Sequence, residues 1–554
     1  MLKSGYQRKG WMADQRRFVR ISLAVAAAGA VALSLAACTG GGTPKPKSAA
    51  PGPAQSSSGP VPPAQSPSPG TAAPKTPPAQ ICGDGSDLNG PAAMPAGAIR
   101  VPAGSDANFD FSRANTTYWF APGLHTLGTE QYENIVPANG DTYVGAPGAV
   151  LDGQHSNNSA FDGGAQRVVI EYLTIRNFGT WGGGQQEGVV NHDSGAYWTI
   201  THSTISGNAG AGVMLGSHDI LSWNCIQNNQ QYGFNAYSSS GEIVDLWVDH
   251  NEIINNDTYN YEARFNGCGC SGGGKFWNVI NARVTNNWVV DNKSVGLWAD
   301  TNNAGFEFVG NYIQNSQGVG LQYEISYNAL IEFNTFDHNG VAAGPANTGF
   351  PTSAIYISES GSDSRVNTNY NGQFLIAYNN FVNNWGGVIL WENSNRFCGS
   401  PDNSSTGYCT MVDPEATLTT CSTPGLIKTQ PYLADCRWKT QNILVEDNTF
   451  TFTPAALGQA CTVANNCGYN GVFSEYGSDP SWSPYMGDVV PTDIAFDQNN
   501  RFLDNTYSGP WCFMGWQLGT SIGFNQWRAA ANVANSQFGQ DAGSTHTGAN
   551  RACS

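Results

Sequence analysis

Apolar residues along this chain recur singly or in short runs between Asn, Gly and Thr, and almost nowhere at helical spacing. A six-residue pattern, Asn-x-[Ile/Val/Phe]-x-[Asn/Asp/His]-[Asn/Ser], begins at Asn224, Asn251, Asn287, Asn311, Asn334, Asn379 and Asn500, with degenerate copies at Ser203 and Asn448. The closest copies set a coil of about 21 to 27 residues, and the wider intervals read as coils with inserted loops or missed copies. Between copies lie Gly-opened apolar runs such as Gly296-Leu-Trp-Ala-Asp and Gly320-Leu-Gln-Tyr-Glu. Short β-rich runs at this period predict stacked parallel strands, each coil burying its apolar side chains against its neighbours. Asn suits the turns because it tolerates left-handed backbone angles and because stacked amides bond along the pile. The expectation is one all-β solenoid of roughly a dozen coils over residues 81–554, with Phe524-Asn-Gln-Trp527 in a terminal cap.

The first 80 residues read differently. Lys3, Arg8, Lys9, Arg16, Arg17 and Arg20 precede an apolar run, Ile21 to Leu35, that ends in Leu35-Ala-Ala-Cys38. Residues 1–37 are thus expected to be a lipoprotein signal peptide and Cys38 the lipidated first mature residue. Residues 38–80, rich in Pro, Ser and Ala, form a disordered linker. A monomer held at the extracellular face of the membrane by its lipid anchor alone is the expectation.

Charge and cysteines narrow the partners. The net charge is −17, and removing the six basic and one acidic residue of 1–37 makes it −22. Such a surface repels nucleic acid, which excludes that class of partner. Twelve cysteines besides Cys38 point to disulfides in an oxidising compartment. Cys398, Cys409, Cys421, Cys436, Cys461 and Cys467 crowd one insertion-rich region, while Cys268 and Cys270 stand too close to bond each other easily.

The repeat, together with Gly145-Ala-Pro-Gly-Ala-Val-Leu-Asp-Gly153, Asn191-His-Asp-Ser-Gly195 and Gly296-Leu-Trp-Ala-Asp-Thr-Asn-Asn303, resembles the pectin-lyase-like superfamily. It is similar in particular to bacterial extracellular right-handed parallel β-helix repeat proteins, from about Thr117 to Ser544. The resemblance implies a right-handed parallel β-helix and a glycan as partner; it leaves the reaction open, because that fold carries lyases, hydrolases, epimerases and adhesins.

Equivalent positions of adjacent coils lie about 4.8 Å apart, so the thirteenth residue after each pattern start outlines a column. It contains Gly216, Tyr237, Arg264, Asp300, Glu324 and Glu392. Glu359 and Glu475 close similar strands and are placed in it too. Strand alternation turns Leu297 and Ala299 inward and Trp298, Asp300, Gln322 and Glu324 outward. A ladder of like charges is costly and calls for a cation or a chemical role.

Asp300 and Glu324, one coil apart, fit the separation of roughly 5 Å at which a glycosidase works with retention. Arg264 would keep Asp300 ionised as nucleophile, and Glu324, flanked by other acids, would hold the proton as general acid. Trp298 offers a plate for a sugar ring, with Arg264, Gln322, Glu359 and Glu392 as further substrate contacts. Leu297-Trp-Ala-Asp300 and Gln322-Tyr-Glu-Ile-Ser326 resemble glycoside hydrolase family 120, which implies those same two roles.

Neither cofactor nor metal is expected for that reaction. A rival polysaccharide lyase would bind Ca²⁺ on Glu324, Glu359 and Glu392, with Arg264 or Lys293 as base. A non-catalytic adhesin is the third possibility. His192-Asp193 reads as a loop pair, and Gly267-Cys-Gly-Cys-Ser-Gly-Gly-Gly274 as a disulfide-tied loop bordering the coil of Asp300.

Overall fold

The computed structural model describes residues 72–182, 188–190, 194–238, 241–265, 269–366, 368–369, 372–401, 409–528, 532–533, 536–537, 539–548 and 551–553. The expectations for the signal peptide, for Cys38, for the linker up to residue 71 and for His192-Asp193 lie outside the described residues.

The repeating pattern becomes three long sheets of 13, 14 and 10 strands, here called sheets 1, 2 and 3. One coil shows the order: Val279–Thr285 in sheet 1, Trp288–Val290 in sheet 2 and Val295–Asp300 in sheet 3, before the next coil opens with Ala304–Val309 in sheet 1. Pairing between coils is parallel throughout, apart from a final antiparallel strand, Ser521–Ile522, that ends sheet 3. The chain therefore folds as a right-handed parallel β-helix.

Every second residue of a strand points into one continuous core, to which Leu297, Ala299, Phe306, Phe308, Leu321 and Tyr323 all belong. Burial at this density supplies most of the stability of a stack whose coils cannot close a core alone.

Asparagine controls the corners. Asn287 Oδ1 accepts from the Asn251 backbone N–H and Nδ2 at 2.9 and 3.0 Å, and its own Nδ2 donates to Val248 O and to Asn311 Oδ1. This ladder runs from Asn224 through Asn251, Asn287, Asn311, Asn334, Asn379 and Asn448 to Asn505. A second ladder, including Asn208, Asn229, Asn256 and Asn292, marks the following corner. Both are buried, so each amide replaces water for backbone groups that the corner leaves without strand partners.

One copy of the pattern needs correcting. After Asn448 the ladder continues at Asn505, whereas Asn500 accepts from Ile443 N at the corner between sheets 3 and 1. Any three-residue strand between two turn asparagines satisfies the pattern, and here it falls on Arg501–Leu503 of sheet 1.

Disulfides join Cys82–Cys225, Cys398–Cys409, Cys421–Cys436, Cys461–Cys467 and Cys512–Cys553. Cys270 is disulfide-bonded as well, to a partner outside the described residues. The described N-terminal segment lies along sheet 2: Pro74 O accepts from Thr335, and Glu252 accepts from the backbone N–H of Ile81 and Cys82. At the far end the helix Phe524–Arg528 buries Trp527 against Phe502 and Phe513.

Candidate functional site

The part of the outer face of sheet 3 around the acid pair is built by four consecutive strands, Gly272–Trp277, Val295–Asp300, Leu321–Glu324 and Ile355–Ser358. Their register aligns Lys275, Trp298, Gln322 and Tyr356 in one row and Trp277, Asp300, Glu324 and Ser358 in the next. Asp300 and Glu324 are thus direct partners on adjacent strands, one spacing of about 4.8 Å apart. Their strand neighbours Ala299 and Tyr323 are fully buried in the core, which turns both acids outward.

Each acid has its own cation. Lys275 Nζ lies 2.8 Å from Asp300 Oδ2, and Thr301 Oγ1 donates to Oδ1 at 3.0 Å. Lys275 also donates to Gly269 O at 2.6 Å and sits 3.9 Å above the Trp298 ring centre, so the indole braces the ammonium. The run Gly272-Gly-Gly274 that precedes it is strand, and a Cβ at Gly274 would come within 2.3 Å of the Phe234 ring. Glycine here lets the strand close on the core so that Lys275 reaches Asp300.

Glu324 Oε2 accepts from Gln322 Nε2 at 2.8 Å, while Oε1 accepts from Arg396 Nη1. The same Nη1 donates to Glu359 Oε2 at 3.0 Å. Arg396 comes from the insertion after Val388–Glu392, two residues before the Cys398–Cys409 disulfide. That insertion also reaches the corner beside Asp300, where Asn302 Nδ2 donates to Cys409 O and Asn302 Oδ1 accepts from Trp438 Nε1. Asp300 and Glu324 retain only 8 and 7 % exposure beneath it.

Burial dominates the electrostatics. It raises the Asp300 pKa; the positive charge of Lys275 opposes the rise and the negative charge of Glu324 adds to it. Glu359 is pushed up to about 7, again by burial first, with Arg396 opposing and Glu324 reinforcing.

Several expected members of the site stand elsewhere. Arg264 belongs to the short helix Tyr261–Arg264, exposed, donating to Tyr259 O and covering the Tyr259 ring; Trp277 occupies the rung before Asp300. The helix is an insertion, so counting thirteen residues from Asn251 stops short of the strand. Glu359 and Glu392 each lie one residue beyond the column, which continues through Ser358 and Trp391. The corner leading into Val388–Glu392 is one residue shorter than in the coils of Asp300 and Glu324, and that slip moves Glu392 off the outer face.

Glu392 is fully buried, 2.9 Å from Arg437 Nε, and accepts from Thr440 N and Gln498 Nε2. Glu475 follows Ser474, the strand partner of Glu392, and is off the column as well. Lys293 lies in the turn before Val295, its charge felt by Asp257. The ladder of acids reduces to one pair. Among the described residues, no three His, Cys, Asp or Glu side chains gather as a metal site, and the acids of the Ca²⁺ reading are divided between Arg396 and Arg437.

Sequence reasoning missed Lys275 and Arg396. Lys275 was legible: it lies two residues before Trp277, as Trp298 lies two before Asp300. Arg396 carried no signal, because only the folded insertion brings it to the pair.

Residues 187–370 match the family model described as a right handed beta helix region. No curated protein matches the chain. Among solved structures it is similar to two Azotobacter vinelandii proteins. The mannuronan C-5 epimerase AlgE4 A-module is 12% identical over 61% of this chain and 87% of that one, with a TM-score of 0.37. The AlgE6 A-module is 15% identical over 53% and 79%, with a TM-score of 0.35. It is also similar to pectate lyase Pel9A, 15% identical over 46% and 83%, with a TM-score of 0.28.

Proposed function

We propose that the protein acts on a polysaccharide outside the cell as a retaining glycoside hydrolase whose two carboxyl groups are Asp300 and Glu324. The observation that carries this reading is their direct pairing on adjacent strands, outward and nearly dehydrated, each with a separate cation. Carboxyls that keep the strand spacing of about 5 Å leave no room for a water between them and the sugar, as inversion requires, and suit double displacement.

The surroundings favour an exchange of the two roles expected from sequence. Glu324 accepts from Arg396 and Gln322, an arrangement that aims a carboxylate and holds it as nucleophile. Asp300, whose pKa is raised, is the acid that protonates the leaving oxygen and afterwards draws a proton from water. Lys275 is a positioning residue fixed by Trp298 and Gly269, and Trp298 acts through it. The Ca²⁺-dependent lyase is disfavoured, since its three acids do not converge.

Screening the full chain against plant and microbial glycans tests the reading. The expected result is release of saturated sugars, lost in Asp300→Asn and Glu324→Gln. Unsaturated ends, or activity indifferent to both substitutions, would overturn it.

A further inference from the structure

The outer face of sheet 3 changes character just past the acid pair. On the side of Asp300, Trp277 precedes it in the same row, and the pairing of Ala236 with Phe276 sets Tyr237 beside Trp277 on the strand before. Tyr237, Trp277, Trp298 and Gln322 are all partly exposed. On the side of Glu324 the row continues through Ser358, Trp391 and Phe473, which keep only 1, 4 and 0 % exposure. Trp391 and Phe473 join Tyr356 and Ile389 in an apolar cluster that lies outside the solenoid core.

A long connection between sheets 2 and 3 covers that cluster. In the coils of Asp300 and Glu324 the connection is residues 291–294 and 315–320, whereas in the next coil it is residues 338–354. Phe350 within it lays its ring on the strands beyond Glu324, with ring centres 5.7 Å from Tyr356, 5.0 Å from Trp391 and 5.6 Å from Phe473. The contacts to Tyr356 and Trp391 are edge-on, an arrangement that aromatic rings favour.

The connection is packed down rather than hinged. A Cβ at Gly344 would meet the Trp385 ring at 2.2 Å, and Asn466 Nδ2, from the segment tied by Cys461–Cys467, donates to Thr348 O at 2.8 Å. From the opposite corner Arg396 closes over Glu324 and Glu359. The result is a fixed wall. Trp391 lies two rungs, about 10 Å, beyond Glu324, so the wall leaves space for a sugar ring on that side but not for a chain.

The roles of the two acids then give the glycan a direction. In the first displacement the anomeric carbon exchanges its bond to the leaving oxygen for one to Glu324, and Asp300 gives that oxygen its proton. Water then replaces Glu324 and returns a proton to Asp300. The sugar held by Glu324 lies on the walled side, and the departing chain leaves past Asp300 over Trp277 and Tyr237, whose rings suit the apolar faces of sugars. The held sugar meets the wall with its non-reducing end.

We propose that the acid pair stands at the closed end of a cleft and that the protein removes single sugars from the non-reducing end of its glycan, with Phe350 as the residue that sets this specificity. The inference rests on the retaining-hydrolase reading, which says nothing of where along a chain the cut falls.

The test uses hexasaccharides of xylan, mannan, arabinan, β-1,3-glucan, β-1,4-glucan and α-1,4-glucan, labelled with 2-aminobenzamide at the reducing end, digested by the full chain and followed by chromatography. The expected first products are labelled pentasaccharide and free monosaccharide in equal amounts, with labelled tetrasaccharide only later. In Phe350→Ala, labelled disaccharide and trisaccharide should appear among the first products. Circular dichroism shows whether that variant folds, and if it does not, the wild-type pattern decides alone. A mixture of labelled lengths from wild type at the earliest times, release of the labelled sugar first, or an unchanged pattern in folded Phe350→Ala would overturn the proposal and leave the hydrolase standing. Failure to cleave any hexasaccharide would remove the hydrolase reading and this inference with it.

Discussion

Asp300 and Glu324 stand directly opposite each other on adjacent strands, yet they share no cation: Lys275 serves one and Arg396 the other. Two buried carboxyls with separate cations have separate environments, and this asymmetry lets one ionise while its neighbour keeps a proton.

Removing either carboxyl should abolish turnover without unfolding the chain. Asp300→Asn and Glu324→Gln are each expected to lose about a thousandfold in kcat on a natural glycan. On an aryl glycoside with a good leaving group, Asp300→Asn should recover much of its rate and Glu324→Gln none, since only the acid becomes dispensable. The opposite pattern would return the roles to those expected from the sequence.

The stacked parallel coils, their inward and outward faces and their corner asparagines were legible because they repeat. The pairing of Asp300 with Glu324 was legible because no insertion separates their coils. Beyond those two coils, register depends on corner length: a helix at Tyr261–Arg264 and a corner one residue short before Val388 displaced Arg264 and Glu392 from the column. Arg396 reaches Glu324 across 72 residues of sequence, a contact that no local pattern encodes.

Arg396 holds the site together electrostatically. In Arg396→Met, Glu324 and Glu359 remain buried without a cation, and unfolding free energy should fall by about 3–5 kcal/mol. Adding Glu359→Gln should restore part of that loss, a coupling that denaturant titration of the four proteins measures in a double-mutant cycle. Additive effects would mean that the guanidinium does not join the two acids.

Glu359 gives stability a defined pH dependence. Its pKa is raised from 4.5 to about 7, so its contribution is complete below about 4.5 and is lost as pH climbs through about 7. Relative to Glu359→Gln, wild type should lose up to about 3 kcal/mol across that window and nothing more above it. Urea midpoints of both proteins from acid to mildly alkaline pH check this; a constant difference would contradict it.

The asparagine ladder should fail locally and expensively. Asn287→Ala removes an amide that bonds both neighbouring rungs and leaves buried backbone groups without partners, at a cost of about 2–4 kcal/mol. Asn315→Ala, which removes an exposed bond to Asp291, should cost less than about 0.5 kcal/mol. Thermal melts of the two variants compare them directly.

The most direct measurement is the anomeric configuration of the first-formed product, followed by NMR as the domain cleaves its glycan. Retention, with a 2-fluoro sugar trapped covalently on Glu324, is the expected result. Inversion, or an unsaturated sugar end in place of a reducing end formed by water, would contradict a double displacement between Asp300 and Glu324.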